Sequence, residues 1–336
     1  MAASSPTRTW RRAAERWLLG DSSESRDLAR RFTWDHLPWP HLPTSTRHGL
    51  FTAASALMDV VSRGIHRLPP PMRYGLADAL TAPAAPLFLA RRPAIARNFT
   101  TVLGTPGTSV HAGRLARASV RNYGRMAMDF LAVRVMSDPE ILSWARPRHL
   151  EHFEAALGDG RGIIMALPHL GSWDVAAAFA QAYGCGLTVV TENNWAAQLV
   201  AGSRDGHAIT LVPRDGSVRP IFRALAAGGC VAMLCDVAPP GVPAVAVPFF
   251  GRQAPFPIGP ARLAHRTGAP ILVVGSVRQP DHRYVLELEP PIRVDPSLPV
   301  EQAIVAATKE IAAGFERLIT AYPEQWYPYR PVWTTR

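Results

Sequence analysis

His169 and Asp174 are the residues whose types and spacing best suit catalysis. His169 follows the apolar run GIIMALP at 162–168, and Asp174 comes five positions later, where VAAAFAQAYG predicts a helix. Spacing alone is weak evidence, because 11 histidines and 26 acidic residues predict about one His-x4-acid pair by chance and the sequence holds three. The other two are His149 with Glu154 and His282 with Glu287. Only His169 lies between a fully apolar strand and a helix start.

This pair suits acyl transfer, because a hydroxyl that attacks a thioester must lose its proton and imidazole accepts protons near neutral pH. A neighbouring carboxylate fixes the imidazole tautomer and stabilises the imidazolium, and a first-turn position favours ionised Asp174. Gly171 permits a tight turn that brings the two groups together. The alternative is a polar histidine at a helix start with no catalytic role.

Other catalytic motifs are missing from the sequence. A P-loop needs Gly-Lys, whereas the only lysine is Lys309, and neither G-x-S-x-G nor H-E-x-x-H occurs. The G-x-G that begins at Gly184 has Val189 where a dinucleotide fingerprint needs its third glycine. The cysteines lie in apolar sequence and predict buried thiols rather than metal ligands: Cys185, Cys230 and Cys235. We therefore expect no metal and no bound cofactor.

The composition describes a basic globular protein. Of 336 residues, 48% are hydrophobic, and no apolar stretch reaches the roughly 18 residues of a spanning helix. The arginine-rich start is followed by too short an apolar stretch for a signal peptide, which predicts a cytoplasmic protein. The net charge of +10 predicts an anionic partner: nucleic acid, an acidic membrane surface or a phosphorylated substrate. The arginine excess is also typical of a GC-rich genome.

The change in residue pattern along the chain predicts a partly ordered basic arm at 1–45 and a single domain at 46–336. Residues 46–150 form its helical part, with two or three helices over 49–98 and another over 112–135. Residues 151–336 form an α/β core, in which short apolar runs alternate with alanine-rich helical stretches. These patterns predict an α/β fold with a mixed, mainly parallel central sheet covered by helices. Residues 284–289 are predicted as an edge strand and 300–321 as the last helix.

Ordered blocks over about residues 65–330 resemble a known family. LPHLGSWDVAA at 167–177 resembles the H-x4-D block of the lysophospholipid acyltransferase superfamily. The blocks around it are similar to the lipid A lauroyl/myristoyl acyltransferases and, most of all, to the phosphatidylinositol mannoside acyltransferases. They are RNFTTVLG at 97–104, CVAMLCDVAPPG at 230–241, the Phe-Phe-Gly and Gly-Pro segments within 245–271, and PEQWY at 323–327.

The resemblance implies roles for five residues. His169 is the general base and Asp174 its orienting partner, in a reaction without a covalent enzyme intermediate. Three further residues are implied in substrate binding: Glu192, Arg204 and Asp236. Arg214 is an alternative to Arg204, and Asp236 is expected to orient either sugar hydroxyls or Glu192.

The resemblance also implies a membrane-associated acyltransferase, which moves a fatty acyl chain from acyl-CoA, or from acyl carrier protein, to a glycolipid hydroxyl. Since the composition suits a high-GC actinobacterium, a mannose of phosphatidylinositol mannoside is the leading acceptor. A lysophospholipid or a lipid A-type acceptor is the alternative. We expect a peripheral protein on an anionic membrane, at the cytoplasmic face, without a nucleic-acid partner. The rival of another class is a non-catalytic basic protein that binds membranes or nucleic acid.

Overall fold

The computed structural model describes residues 43–104, 110–191, 209–214 and 218–333. The predicted arm at 1–45 lies almost wholly outside these residues, and Glu192 and Arg204 lie outside them entirely. The predicted division of the chain into arm and domain therefore stays a prediction.

Helices alone make up the first part of the described chain. They are α1 (Thr44–Arg67), α2 (Pro70–Thr81), α3 (Ala85–Arg91), α4 (Ala94–Val102), α5 (Val110–Val133) and α6 (Asp138–Trp144). Four of them cover the stretch predicted to hold two or three, because prolines divide it. Proline lacks an N–H and fits only the first helical turn, as at the starts of α2 and α3. Within the described residues, no helix has both the length and the hydropathy needed to cross a bilayer.

The rest of the described chain forms a helix-covered sheet. Its strands are β1 (Ala145–Arg148), β2 (Ile163–Leu167), β3 (Leu187–Thr191), β4 (Ile209–Pro213), β5 (Cys230–Leu234), β6 (Ala244–Phe249), β7 (Arg252–Pro257), β8 (Ile271–Arg278) and β9 (Tyr284–Leu288). Its helices are α7 (Leu150–Gly158), α8 (Trp173–Ala182), α9 (Arg219–Ala226), α10 (Gly259–Thr267) and α11 (Val300–Ala321), followed by a 3-10 turn at Pro323–Gln325. The sheet order is β1-β9-β8-β2-β5-β3-β4, while β6 and β7 form a separate hairpin.

Five neighbouring strands, β8, β2, β5, β3 and β4, are parallel, and β9 pairs antiparallel with β8. This confirms the mixed, mainly parallel sheet. Every residue of the central strand β2 is buried, because Ile164 and Ala166 face one apolar core while Ile163, Met165 and Leu167 face the other. Burial on both faces explains the unbroken apolar run. The three cysteines are buried free thiols, as predicted.

The prediction that 284–289 forms an edge strand is wrong. β9 lies between β8 and β1. Its apolar and polar residues alternate, yet the polar Glu287 is buried, with Arg148 and Tyr322 donating hydrogen bonds to its carboxylate. The strand at this edge of the sheet is β1. Its sequence, ARPR, carries no strand periodicity.

Candidate active site

His169 lies at the carboxyl end of the central strand. β2 ends at Leu167, Pro168 follows, and the chain turns through 169–172 into α8. Ser172 is the N-cap of α8, and its side chain accepts a hydrogen bond from the Val175 amide at 3.3 Å. The catalytic histidine predicted from the sequence therefore occupies the strand-to-helix turn where α/β proteins commonly place functional groups.

This turn is held on both sides by backbone hydrogen bonds. On one side, the Ser172 amide donates to the Ser276 carbonyl of β8 at 2.8 Å. On the other, the Gly171 amide donates to the Gln325 carbonyl and the Tyr327 amide to the His169 carbonyl, both at 2.8 Å. The backbone of His169 is thus fixed between the sheet and the C-terminal segment.

Gly171 is the residue that this close packing requires. Its φ is 60°, and a Cβ there would lie 1.7 Å from the Ser276 carbonyl oxygen. We expect Gly171→Ala to lower the free energy of unfolding by more than about 2 kcal/mol, since both the left-handed conformation and the clash are costly. Chemical denaturation checks this, with Gly158→Ala as control because a Cβ at Gly158 meets nothing within 4 Å. Equal stability of Gly171→Ala and the wild type would contradict the packing described.

The imidazole of His169 is hydrogen bonded to Asp236. Its Nδ1 lies 2.5 Å from Asp236 Oδ1, and the His169 amide donates to Oδ2 at 3.1 Å. A third donor, the Trp326 indole Nε1, lies 2.9 Å from Oδ2. Asp236 is fully buried, whereas the His169 side chain is 35% exposed. The carboxylate is therefore shielded while part of the imidazole remains open to a substrate.

Strand register explains why these two residues meet. In the parallel pair β2 and β5, Leu167 lies opposite Leu234. His169 and Asp236 each follow two residues later, so they leave neighbouring strands at the same level of one sheet edge.

The hydrogen bond to a carboxylate determines what the imidazole can do. An ionised carboxylate only accepts hydrogen bonds, so Nδ1 must carry the proton. Burial raises the pKa of Asp236, but the positive charge and hydrogen bonds of His169 and the Trp326 N–H outweigh it and hold that pKa below its ordinary value. An imidazole held in this way by an ionised carboxylate can serve as a general base when it is neutral.

Asp174 lies in the first turn of α8, as predicted, and is partly buried. Burial and, secondarily, the charge of Asp174 raise the pKa of Tyr123 in α5, which places Asp174 near that phenol. The hydrogen bond on Nδ1 goes to Asp236 across the sheet, and the orienting role predicted for Asp174 stays a prediction. Asp236 was predicted to orient sugar hydroxyls or Glu192, so its contact with the histidine is new.

The remaining predicted binding residues are less informative. Arg214 follows β4 as an exposed residue whose amide donates to the Thr191 carbonyl at 2.8 Å. Glu192 and Arg204 lie outside the described residues, so their substrate-binding roles stay predictions.

Aromatic residues that the sequence did not single out lie beside His169. The Trp173 ring packs against the imidazole at 5.6 Å and against Tyr327 at 6.2 Å between centroids. Tyr123 packs on Tyr327 at 5.2 Å. The sequence signals for these rings were the LPHLGSWDVAA block, which contains Trp173, and the PEQWY block, which contains Tyr327. Neither block indicated their contacts.

Asn98, in the block RNFTTVLG, anchors the C-terminal segment. Its amide donates to the carbonyls of Pro328 and Arg330 at 2.9 and 2.8 Å, and its side-chain oxygen accepts from the Val332 amide at 3.3 Å. The block at 97–104 thus joins the chain just after the PEQWY block, about 230 residues away, and helps to hold the segment that contacts the turn of His169.

Comparisons with known proteins show the family to which the sequence is similar. The family model for bacterial lipid A biosynthesis acyltransferases matches residues 45–335. A phosphatidylinositol mannoside acyltransferase of Mycobacterium tuberculosis (strain CDC 1551 / Oshkosh) is 31% identical over 252 residues, covering 70% of this chain and 75% of that protein. The protein of the same name from Mycolicibacterium smegmatis (strain ATCC 700084 / mc(2)155) is 30% identical over 248 residues, covering 70% and 78%.

Proposed function

Because the chain belongs to the bacterial lipid A biosynthesis acyltransferase family and is therefore an acyltransferase, we propose that it transfers a fatty acyl chain from acyl-CoA to a glycolipid hydroxyl. The observation that carries the proposal is the contact of His169 Nδ1 with the buried carboxylate of Asp236, the arrangement of an imidazole base and its orienting acid. The acceptor that we propose is a mannose of phosphatidylinositol mannoside. The names of the two mycobacterial relatives support this choice.

The proposed reaction is a direct transfer. The acceptor hydroxyl donates a hydrogen bond to His169 Nε2, its oxygen attacks the thioester carbonyl carbon, and the proton passes to Nε2. Asp236 stabilises the imidazolium that forms. The tetrahedral intermediate then collapses, the carbon–sulfur bond breaks, and the imidazolium returns its proton to the leaving thiolate. The products are the O-acyl glycolipid and free CoA, and His169 is neutral again.

The acceptor is tested by incubating the purified protein and radiolabelled palmitoyl-CoA with phosphatidylinositol mannoside, a lysophospholipid or a lipid A precursor. We expect labelled product from the mannoside at a rate well above the other two. Labelled product only from a lysophospholipid or the lipid A precursor would replace the proposed acceptor by that lipid. No product from any acceptor, with either palmitoyl-CoA or palmitoyl acyl carrier protein, would overturn the proposed reaction.

Membrane association at the cytoplasmic face, where acyl-CoA is available, is part of the proposal. In α2, exposed apolar residues recur every four positions, which places them in one stripe on the helix, while Tyr74 and Ala77 are buried on another face. Similar exposed residues occur in α1 and α3. The set comprises Leu57, Val60, Val61, Met72, Leu76, Leu80 and Leu87. Apolar faces on a protein of net charge +10 suit the interface of an anionic bilayer.

Replacement of two leucines on this stripe tests the membrane contact. Leu76 and Leu80 are 40% and 58% exposed, and each leucine inserted into a bilayer contributes on the order of 1 kcal/mol or more. We expect Leu76→Glu with Leu80→Glu to weaken binding to phosphatidylinositol-containing vesicles at least about 10-fold, measured by vesicle flotation. The matched control is Leu298→Glu with Val300→Glu, exposed positions at the start of α11. Equal loss in both double variants would argue against a contact through α2.

A further inference from the structure

Trp326 belongs to the C-terminal segment and lies beside the pair formed by His169 and Asp236. It follows the 3-10 turn Pro323–Gln325, its side chain is fully buried, and its indole N–H donates to Asp236 Oδ2 at 2.9 Å. Its backbone forms a bridge with Leu170, the residue after His169. One residue therefore contacts both the turn that carries the base and the carboxylate that orients it.

The segment around Trp326 is itself rigidly held. The Gln325 side chain accepts a hydrogen bond from the Arg278 amide and donates one to the Arg278 carbonyl, both at 2.9 Å. The Ser119 hydroxyl of α5 donates to the Trp326 carbonyl. The indole packs in an aromatic cluster with Phe99 and Trp333. The indole N–H is thus fixed in position before any substrate binds.

From this geometry we infer that Trp326 is a positioning residue. Its indole N–H fixes the orientation of the Asp236 carboxylate and, by partly compensating the negative charge of that carboxylate, limits how strongly Asp236 stabilises protonated His169. The inference rests on the proposed function, since it assigns Trp326 a part in the same proton transfer. A carboxylate can rotate about its Cβ–Cγ bond. With Oδ2 held by Trp326 and the His169 amide, Oδ1 faces Nδ1.

Removal of the indole donor has two expected consequences. The carboxylate loses one of its three described hydrogen bonds, so its orientation toward Nδ1 becomes less defined and kcat falls. Without the indole N–H, the negative charge of the carboxylate is also less compensated and stabilises the imidazolium more strongly. His169 therefore stays protonated up to a higher pH. A purely structural tryptophan would produce neither a shift in the pH profile nor a dependence on Asp236.

The pH readout also depends on titratable groups that the structure describes near His169. They include Asp174 in α8, Cys235 beside Asp236, Tyr123 in α5 and Tyr327 next to Trp326. None of these residues is changed in a Trp326 variant. Burial and the charge of Asp236 raise the pKa of Cys235, so its thiol does not titrate in the neutral range. Glu192 and Arg204 lie outside the described residues and are also unchanged in the variant.

The test compares Trp326→Phe with the wild type in transfer of radiolabelled palmitate from palmitoyl-CoA to phosphatidylinositol mannoside in mixed micelles. We expect kcat to fall about 10-fold to 100-fold, as for the loss of a hydrogen bond to a charged group. The acid limb of the kcat/KM profile should move to higher pH. In an Asp236→Asn background, the same substitution should have little further effect on kcat.

Trp333→Phe is the matched control. Trp333 belongs to the same aromatic cluster and is buried, but its indole donates to the Phe249 carbonyl at 3.0 Å. We expect the control to match the wild-type pH profile. If Trp326→Phe does not fold, Trp326→benzothienylalanine removes the N–H while keeping the ring size, and the same results are expected.

The outcomes separate the inference from the function on which it rests. An inactive wild-type protein would overturn the proposed function. An active wild type whose Trp326 variant keeps its kcat and its pH profile, or shifts them no more than Trp333→Phe does, would overturn the positioning role alone.

Discussion

His169→Ala is expected to lower kcat for acyl transfer by about 10² to 10⁴, the usual contribution of a general base. The substitution removes the imidazole whose Nδ1 is hydrogen bonded to the buried Asp236 carboxylate. The His169 side chain is 35% exposed, so its loss leaves little buried space and the thermal unfolding midpoint should change by only a few degrees.

The control for this prediction is His152→Ala. His152 is a half-buried histidine of α7 whose Nδ1 lies 2.8 Å from the Leu288 carbonyl oxygen. We expect it to keep most of its activity, since the described backbone hydrogen bonds that hold the turn at 169–172 come from β8 and the C-terminal segment and not from α7. Normal turnover by folded His169→Ala would remove this residue from the mechanism.

Asp236→Asn is expected to have the second largest effect, with a loss of kcat of about 10² to 10⁴. In the wild-type protein three donors converge on the Asp236 carboxylate, whereas an asparagine at this position would present an N–H₂ group in place of one carboxylate oxygen. One donor must therefore face another donor, or His169 must adopt the tautomer with its proton on Nε2, where it cannot act as a base. The loss of activity by tautomer change in the Ser-His-Asp hydrolases sets the upper end of this range.

Asp174→Asn provides the comparison for Asp236→Asn. The sequence spacing favours Asp174 as the orienting acid, whereas the hydrogen bond on Nδ1 favours Asp236. We expect Asp174→Asn to be milder than Asp236→Asn when kcat is measured at the same pH and substrate concentrations. The opposite order, with both variants folded, would return the orienting role to Asp174.

The position of His169 could be predicted because local sequence determines it. An apolar run buried on both faces predicts a central strand, and Pro168 followed by Gly171 and Ser172 predicts a turn into a helix. The same local rules failed for β1, whose ARPR sequence has no periodicity and forms a strand only because β9 offers a partner.

The partner of His169 could not be predicted because it depends on sheet order. Asp174 is five positions away in sequence, but Asp236 is 67 positions away and arrives through the pairing of β2 with β5. Nothing in the spacing of residues shows which strands become neighbours. The contact of Trp326 with Asp236 spans 90 positions. The closing PEQWY block therefore contributed to the family resemblance but did not indicate what Trp326 contacts.

The kcat of the double variant His169→Ala with Asp236→Asn, set beside that of His169→Ala alone, tests most directly whether the two residues act as one catalytic unit. Groups that work through each other show strongly non-additive losses. With the base already gone, the carboxylate has nothing left to orient, so we predict that the double variant is within about 3-fold of His169→Ala. A further loss on the order of 100-fold would show that Asp236 acts independently and would contradict the pairing of His169 with Asp236 as base and orienting acid.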